Sequence, residues 1–283
     1  MKKLCISVCL ASFTLAAAAQ AFIRGRGTFS DGSFFVSHES QEFPLDTNAR
    51  ACFTFEYDQG TNYIDFSISI KTNNCQQGIA GMLPMYSKQD GGYLDFDGVN
   101  DGIDGLAGAV YRMNAAEPLT FMAWVRPKDT NDSGDYIYFS GDTTGTGPGL
   151  SAVSFAIRNT GGFYRMQYIY SANNAAYQLW SGAPVEENIW QHITIALDRA
   201  GGAANVTNKA NMYINGSPVG IVTNSAPIGD SMTFNTWFSL GYIKLATNGH
   251  FDGKLDGIRV YQVKLNPTEI TNIFRRSEEL RGL

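Results

Sequence analysis

Short segments in which apolar and polar residues alternate recur along this chain, and they constrain its fold more than any other feature. The alternation is strict from Tyr63 to Lys71, where the apolar positions are Ile64, Phe66, Ile68 and Ile70. Similar segments, separated by Gly, Asn and Asp, continue as far as Val260. A period of two residues is that of a β-strand with one buried face. Because such strands recur and helical periodicity is scarce, the sequence predicts an all-β sandwich or barrel.

Residues 1–21 have the features of a secretory signal peptide. Lys2 and Lys3 precede an apolar run from Leu4 to Ala18, and Ala19-Gln20-Ala21 has the A-x-A pattern of a cleavage site. The run is too short to span a bilayer. We therefore expect the chain to be exported through a Sec-type signal to the periplasm, the cell surface or the extracellular space. The lysine-led signal suggests a bacterial source.

Two cysteines, Cys52 and Cys75, would remain after removal of the signal peptide. In an oxidising compartment two cysteines most often form a disulfide. When the apolar faces around Phe55 and Phe66 are matched as a hairpin, Cys52 lies near Ser69. Cys75 reaches Cys52 in that register only if Thr72–Asn74 fold back, and we predict that they do.

The charge balance of the chain limits its partners. It carries 26 acidic and 21 basic residues, a net charge of −5 at pH 7. Proteins that bind the phosphate backbone of nucleic acids need a basic surface, so nucleic acid is not an expected partner. After the signal peptide, no segment of the sequence is long and apolar enough for a transmembrane helix. The expected partner is a glycan or an extracellular protein.

The distribution of turn residues suggests two regions after the signal peptide. Gly, Pro and polar residues between positions 76 and 90 predict a boundary near Lys88. Residues 22–88 would then form a small β-rich N-terminal region, and residues 89–283 a β-sandwich with a C-terminal helix. That helix is predicted from Asn266-Pro267-Thr268-Glu269, which supplies an N-cap, a first-turn proline and an N3 glutamate.

Five segments carry recognisable motifs in a fixed order. They are Tyr93–Asp101, Leu119–Pro127, Trp190–Thr194, Met212–Gly216 and Phe251–Tyr261. They resemble, in turn, the motifs LxFDGxxD, LTxxAWVxP, WxHV, LYVDG and FxGxIDEVRIY of the laminin-G-like (pentraxin-like) branch of the concanavalin A-like lectin/glucanase superfamily. In the fourth motif, Asn215-Gly216 also predicts a tight hairpin turn. The resemblance implies an antiparallel jelly-roll sandwich of two sheets, and it does not cover residues 22–88.

The resemblance also implies one structural calcium ion near the join of the first and last strands. Residue by residue, it assigns the side chains of Asp97 and Asp256 and the backbone oxygen of Gly98 as ligands. Calcium takes six to eight oxygen ligands, which suits these groups. The alternative is that both carboxylates cap turns by accepting hydrogen bonds from backbone N–H groups. One departure from the family motif is Gly257, where a glutamate is usual.

Aromatic residues of two neighbouring predicted strands suggest a carbohydrate-binding platform. Tyr164, Tyr168 and Tyr170 share one strand face by their parity, and Trp180 lies on the next strand. Exposed aromatic rings can stack on the apolar faces of sugars. The alternative is that these rings fill the core, since aromatic residues dominate core burial.

Catalysis is not expected from the motifs present. The superfamily includes β-glucanases with a Glu-x-Asp-x-x-Glu strand, because retaining hydrolysis needs two carboxylates about 5 Å apart. No such triplet occurs in this sequence, and we interpret Trp190 and His192 as packing residues. The sequence thus favours a non-catalytic binding protein. Two alternatives stay open: a structural or adhesive component that assembles through residues 22–88 by strand addition, and a polysaccharide-degrading enzyme.

Overall fold

The computed structural model divides the chain into two units, residues 1–46 and 47–283. It describes residues 26–28, 34–36, 49–53, 55, 62–63, 75–77, 84–105, 118–128, 135–141, 152–160, 162–172, 175–198, 210–223, 237–242 and 249–282. In the first unit, strand β1 (Arg26–Thr28) pairs antiparallel with β2 (Phe34–Val36). The predicted signal peptide lies outside the described residues, and export stays a prediction.

Strands dominate the second unit. They are β3 (Ala49–Phe53), β4 (Asn62–Tyr63), β5 (Cys75–Gln77), β6 (Met85–Ser87), β7 (Tyr93–Asp97), β8 (Ile103–Gly105), β9 (Leu119–Pro127), β10 (Asp135–Gly141), β11 (Ala152–Thr160), β12 (Phe163–Ala172), β13 (Ala175–Ser181), β14 (Gln191–Leu197), β15 (Ala210–Ile214), β16 (Ser217–Val219), β17 (Ile221–Thr223), β18 (Trp237–Leu240) and β19 (Asp252–Tyr261). One helix, α1 (Pro267–Arg281), follows them in the described residues.

The strands form two antiparallel sheets. Within the described part of the chain, a nine-stranded sheet has the order β17-β13-β12-β11-β10-β18-β8-β5-β4. An eight-stranded sheet has the order β16-β15-β14-β9-β19-β7-β6, and β3 pairs with β19 beside β7. The predicted all-β, two-sheet antiparallel architecture is therefore confirmed.

The two sheets enclose one apolar core, and the central strands β9 and β14 of the eight-stranded sheet are buried on both faces. Phe121 of β9 stacks on Phe155 of β11 with ring centroids 4.1 Å apart, which joins the sheets. Val125 lies in the same core, whereas Trp124 points the other way and contacts Phe274 of α1. Because both of its faces are covered, β9 has an almost continuous apolar sequence instead of an alternating one.

The C-terminal helix begins as the sequence predicts. The Asn266 side chain accepts hydrogen bonds from the N–H groups of Thr268 and Glu269, and the Glu269 carboxylate accepts one from the Asn266 N–H. This capping box satisfies donors that a helix start otherwise leaves without partners. The helix ends at Gly282, whose φ of 69° is left-handed. In the described residues no helix has the length and hydropathy required to cross a bilayer.

The region before Lys88 contributes to both sheets, which differs from the predicted division. β3 pairs with β19 in the eight-stranded sheet, and β5 pairs with β8 in the nine-stranded sheet. The division of the chain accordingly lies between Asp46 and Thr47. Turn composition near residues 76–90 indicates a break in regular structure, but pairing with strands far along the chain leaves no local signal.

The predicted Cys52–Cys75 disulfide is not tested by the described residues. Cys52 lies on β3 and Cys75 on β5, strands of different sheets, and the Cys75 side chain is outside the described part of the structure. Most of the predicted hairpin between these cysteines, including residues 64–74, also lies outside it. The disulfide stays a prediction.

Candidate functional site

The two carboxylates assigned to calcium are not neighbours. In the ladder between β7 and β19, Asp97 is opposite Asp252. Asp256 lies four residues further along β19, a distance of about 13 Å at the usual rise of a strand. The structure therefore does not bring Asp97 and Asp256 together.

Asp97 caps the turn that follows β7. Its Oδ1 accepts hydrogen bonds from the N–H groups of Val99, Asn100 and Asp101 at 2.9, 3.1 and 3.3 Å. Partial burial acts to raise the pKa of Asp97, but these three donors outweigh it and lower the pKa below its usual value. Gly98 has a φ of 73°, and a Cβ there would lie 2.7 Å from the Cβ of Asp252. Turn geometry thus explains the Asp-Gly pair of the motif.

Asp256 has both carboxylate oxygens engaged by protein groups. Its Oδ2 forms an ion pair with Arg281 of α1, and its Oδ1 accepts a hydrogen bond from the Phe55 N–H at 3.3 Å. Burial raises the pKa of Asp256, and the Arg281 guanidinium opposes that rise. Gly257, where the family motif has glutamate, lies at a β-bulge with a φ of 55°, a conformation that favours glycine.

The predicted ligand set therefore does not fit a single calcium ion. Asp97 and Asp256 are too far apart, and a guanidinium already neutralises the second carboxylate. Among the described residues, no group of three His, Cys, Asp or Glu side chains is arranged to hold a metal ion. Sequence resemblance located these aspartates correctly on the turn and the last strand, but it carries no information on the partner that each one meets.

Arg281 is the residue that motif analysis missed. Its guanidinium lies 4.0 Å from the ring centroid of Trp190 and 5.4 Å from that of Trp124. The sequence signal for the buried contacts of Arg281 is its position in the helical repeat. Ile270, Ile273 and Arg281 are all buried on the inner face of α1. An arginine that falls on the same helix face as buried apolar residues is expected to have a buried partner.

His192 packs under the helix and has no catalytic environment. Its ring contacts Trp124 and Phe274, with centroids 5.3 and 5.8 Å away, and the residue is fully buried. Burial, followed by the charges of Arg259 and Arg281, lowers the pKa of His192 to about 3. The imidazole is therefore neutral at physiological pH and has no access to a substrate.

The predicted aromatic platform is divided between two faces of the nine-stranded sheet. Tyr168 is 1% exposed in the core, 5.4 Å from Phe155, and Tyr164 packs against the same core. The Tyr170 side chain is outside the described residues. Trp180 is paired with Gln167 in the β12–β13 ladder, so it lies on the face away from the core. Parity identifies residues that share a face, but it does not tell which face is buried.

Gln167 and Trp180 are neighbours on this outer face of the nine-stranded sheet, and both are buried, at 0% and 7% exposure. The Gln167 Nε2 donates a hydrogen bond to the Gln178 Oε1 at 3.1 Å. The Gln167 Oε1 and the Trp180 Nε1 have no hydrogen-bond partner among the described residues. We call these two side chains the Gln167–Trp180 pair. They place one free acceptor and one free donor on adjacent strands.

The chain belongs to the concanavalin A-like lectin/glucanases superfamily, because the laminin-G family model of that description matches residues 97–271. Domain 4 of AbnA, a GH43 extracellular arabinanase from Geobacillus stearothermophilus solved with arabinotriose, is similar over 80% of this chain and 98% of its own, at 17% identity and a TM-score of 0.55. No curated protein matches the sequence.

Two further solved structures share the fold. The binding domain of botulinum neurotoxin serotype G is similar over 81% of this chain and 51% of its own, at 18% identity and a TM-score of 0.55. The Trypanosoma rangeli sialidase solved with sialic acid is similar over 96% of this chain and 39% of its own, at 13% identity and a TM-score of 0.56. Identities this low establish the fold alone; the family model over residues 97–271 confirms the resemblance inferred from the five motifs.

Proposed function

We propose that this chain is an exported, non-catalytic protein that binds carbohydrate on the outer face of its nine-stranded sheet. The observation that carries the proposal is the Gln167–Trp180 pair. A buried donor or acceptor without a partner costs about 1–3 kcal/mol, so folded proteins rarely retain one without a reason. We take two such atoms on directly paired residues as the place where a ligand completes the hydrogen bonds, which requires the groups that bury this pair to move aside on binding.

A hydroxyl group has the chemistry that this pair requires. It accepts a hydrogen bond through its oxygen and donates one through its hydrogen. A sugar hydroxyl near both side chains would accept from the Trp180 Nε1 and donate to the Gln167 Oε1. A ligand that carries only acceptors, such as a phosphate, would accept a hydrogen bond from the indole N–H but would leave the Gln167 Oε1 without a donor. The pair therefore favours a polyhydroxylated ligand.

The solved relatives support the same class of ligand. The arabinanase domain was solved with arabinotriose, and this chain covers 98% of that domain. The sialidase was solved with sialic acid, although this chain covers only 39% of that enzyme. Export follows from the predicted signal peptide, and N-terminal sequencing of the secreted protein would identify the cleavage site.

The environment of the buried acids supports the non-catalytic part of the proposal. Asp256 is paired with Arg281, and Asp104 accepts a hydrogen bond from the hydroxyl of Tyr242. Burial and this hydrogen bond raise the pKa of Tyr242 far above its usual value, so its hydroxyl stays protonated and cannot act as a general base. We assign no role to calcium in ligand binding, because the predicted ligands do not fit one ion.

The test is binding of the full mature chain to a glycan array, followed by calorimetry with the best oligosaccharide. Trp180→Phe keeps an aromatic ring but removes the donor, and Gln167→Met keeps the length but removes the amide, including the free acceptor. Each change should weaken binding roughly tenfold, the effect of losing one well-placed hydrogen bond. Tyr213→Phe removes a hydroxyl from the other sheet and should leave affinity unchanged. Unaltered binding by both site variants would refute this location.

A further inference from the structure

A cavity of about 340 Å³ opens on the other side of the sandwich, where α1 meets the outer face of the eight-stranded sheet. Its lining includes Arg126, Asn188, Ile189, Trp190, Asn215 and Glu278. Small-molecule sites occupy roughly 300–1,000 Å³ and combine apolar walls with a few polar groups, and this cavity has both properties. It is separate from the Gln167–Trp180 pair, which lies on the other sheet.

Two opposite charges line this cavity without neutralising each other. Arg126 comes from β9 and Glu278 from α1, and both side chains are half-buried. Within the described residues, neither forms an ion pair or a side-chain hydrogen bond. By contrast Lys128, two residues after Arg126, pairs with Asp252 at 3.4 Å. Two half-buried charges without partners are available to a ligand.

Two asparagines are held in fixed positions beside these charges. Asn215 occupies the hairpin turn with a φ of 50°, and its Oδ1 accepts a hydrogen bond from the His192 N–H at 2.8 Å. This contact leaves the amide N–H₂ of Asn215 as a donor at the cavity. Asn188 has a φ of 58°, and its backbone N–H donates to the Pro127 oxygen at 2.7 Å. Both loops are thus anchored to strands before any ligand binds.

The charge arrangement selects a class of ligand. A purely anionic ligand would be attracted by Arg126 and repelled by Glu278. A cation would be attracted by Glu278 and repelled by Arg126. A ligand with one carboxylate and one ammonium group satisfies both, and the guanidinium can hold the carboxylate with two parallel hydrogen bonds. The apolar wall, formed by Ile189 at 50% exposure and by Trp190, suits an apolar side chain.

We propose that this cavity binds a free α-amino acid with an apolar side chain. The carboxylate is bound by Arg126 with the amide of Asn215, the ammonium group by Glu278, and the side chain contacts Ile189 and Trp190. This site goes beyond carbohydrate binding and does not depend on it. A chain with both sites would respond to two chemically different ligands.

The experiment is calorimetric titration of the mature chain with leucine and phenylalanine, each compared with its N-acetyl and amide derivatives. The N-acetyl form lacks the ammonium group and the amide form lacks the carboxylate. We expect the free amino acid to bind and each derivative to bind at least about tenfold more weakly, since each loses a charge-assisted contact.

Point variants test which residue binds the carboxylate of the amino acid and which binds its ammonium group. Arg126→Lys keeps the charge but not the paired donors, and Glu278→Gln keeps the shape but not the charge, so each should weaken amino-acid binding roughly tenfold. Lys128→Ala, beside the cavity, should bind as the unmodified protein does, and circular dichroism confirms that each variant is folded. Absence of amino-acid binding at millimolar concentration overturns the proposal. Equal binding of galacturonic acid that is insensitive to Glu278→Gln also overturns it, in favour of an acidic sugar. Neither result bears on Trp180 and Gln167.

Discussion

Asp256 of the last strand and Arg281 of the last helical turn form an ion pair that is buried from solvent, with exposures of 3% and 7%. The pair joins the closing strand of the sandwich to the end of α1, and the Arg281 guanidinium also covers the Trp190 ring. A carboxylate that marks the family motif thus holds the helix against the sheet in this chain. The contact is structural, and it engages the carboxylate that the resemblance assigns to calcium.

Removal of one partner of this pair should be costly. Asp256→Asn leaves the Arg281 charge buried without a counter-ion, which typically lowers the free energy of unfolding by about 3–5 kcal/mol. Urea denaturation of the two proteins measures the difference. Lys128→Ala removes a surface pair with Asp252 and should cost less than about 1 kcal/mol.

Calcium provides the control that separates the two roles of Asp256. If the carboxylate acts through Arg281, the cost of Asp256→Asn is the same in EDTA and in calcium. A ligand that binds only the folded state must raise its stability. Calcium stabilisation that disappears in the Asp256→Asn variant would therefore restore the metal assignment.

Local pattern and family motifs predicted much of the fold, but few of the partners of each side chain. The hairpin at Asn215 and the helix start at Asn266 follow from backbone requirements of a few adjacent residues, so they are visible in sequence. The contact between Asp256 and Arg281 depends on how a helix docks on a finished sandwich. Tyr168 shows the same limit, because its strand periodicity was identified correctly and its face was not. Trp180 belongs to the candidate carbohydrate site because its indole N–H has no partner among the described residues, and not because its ring is exposed for stacking on a sugar.

Burial of His192 predicts a dependence of stability on pH. Its pKa in the folded state is lowered to about 3, mainly by burial, from an unperturbed value of 6.5. Above pH 6.5 the side chain is neutral in both states and carries no penalty. Below that pH the unfolded chain binds a proton that the folded chain does not, so stability falls as the pH decreases towards 3.

The comparison of His192→Phe with the unmodified protein isolates this effect. Between pH 6.5 and pH 5, the unmodified protein should lose roughly 1 kcal/mol per pH unit more than the variant does, and the difference approaches about 1.4 kcal/mol per unit at lower pH. Urea denaturation at several pH values gives both slopes, and other titrating groups are common to the two proteins. Parallel slopes would show that the imidazole is protonated within the fold.

Two glycines with similar backbone angles should respond differently to alanine. Gly162 and Gly241 have φ values of 84° and 78°. A Cβ at Gly162 meets nothing within 4 Å, whereas one at Gly241 would overlap the buried ring of Phe96. Gly162→Ala should cost about 1–2 kcal/mol from left-handed strain. Gly241→Ala should cost a further 1–3 kcal/mol or so from overpacking. Thermal unfolding measures both, and equal costs would contradict this account of the core.

Gln167 should behave unlike an ordinary buried polar residue when it is replaced. Ser277 is the matched case, because its hydroxyl accepts a hydrogen bond from the Trp124 Nε1 at 3.0 Å and donates to the Phe274 oxygen. Ser277→Ala leaves the indole N–H without its partner and should cost about 1–3 kcal/mol.

Gln167→Met keeps the length but removes two polar atoms: the Oε1, which has no partner among the described residues, and the Nε2, which donates a hydrogen bond to the Gln178 Oε1. The free energy of unfolding should therefore fall by less than about 1 kcal/mol, because removal of the unsatisfied Oε1 offsets the loss of the hydrogen bond to Gln178, which is half-buried. Urea denaturation without ligand checks this. A loss as large as that of Ser277→Ala would mean that Gln167 is a satisfied structural residue, and the carbohydrate proposal would lose its main support.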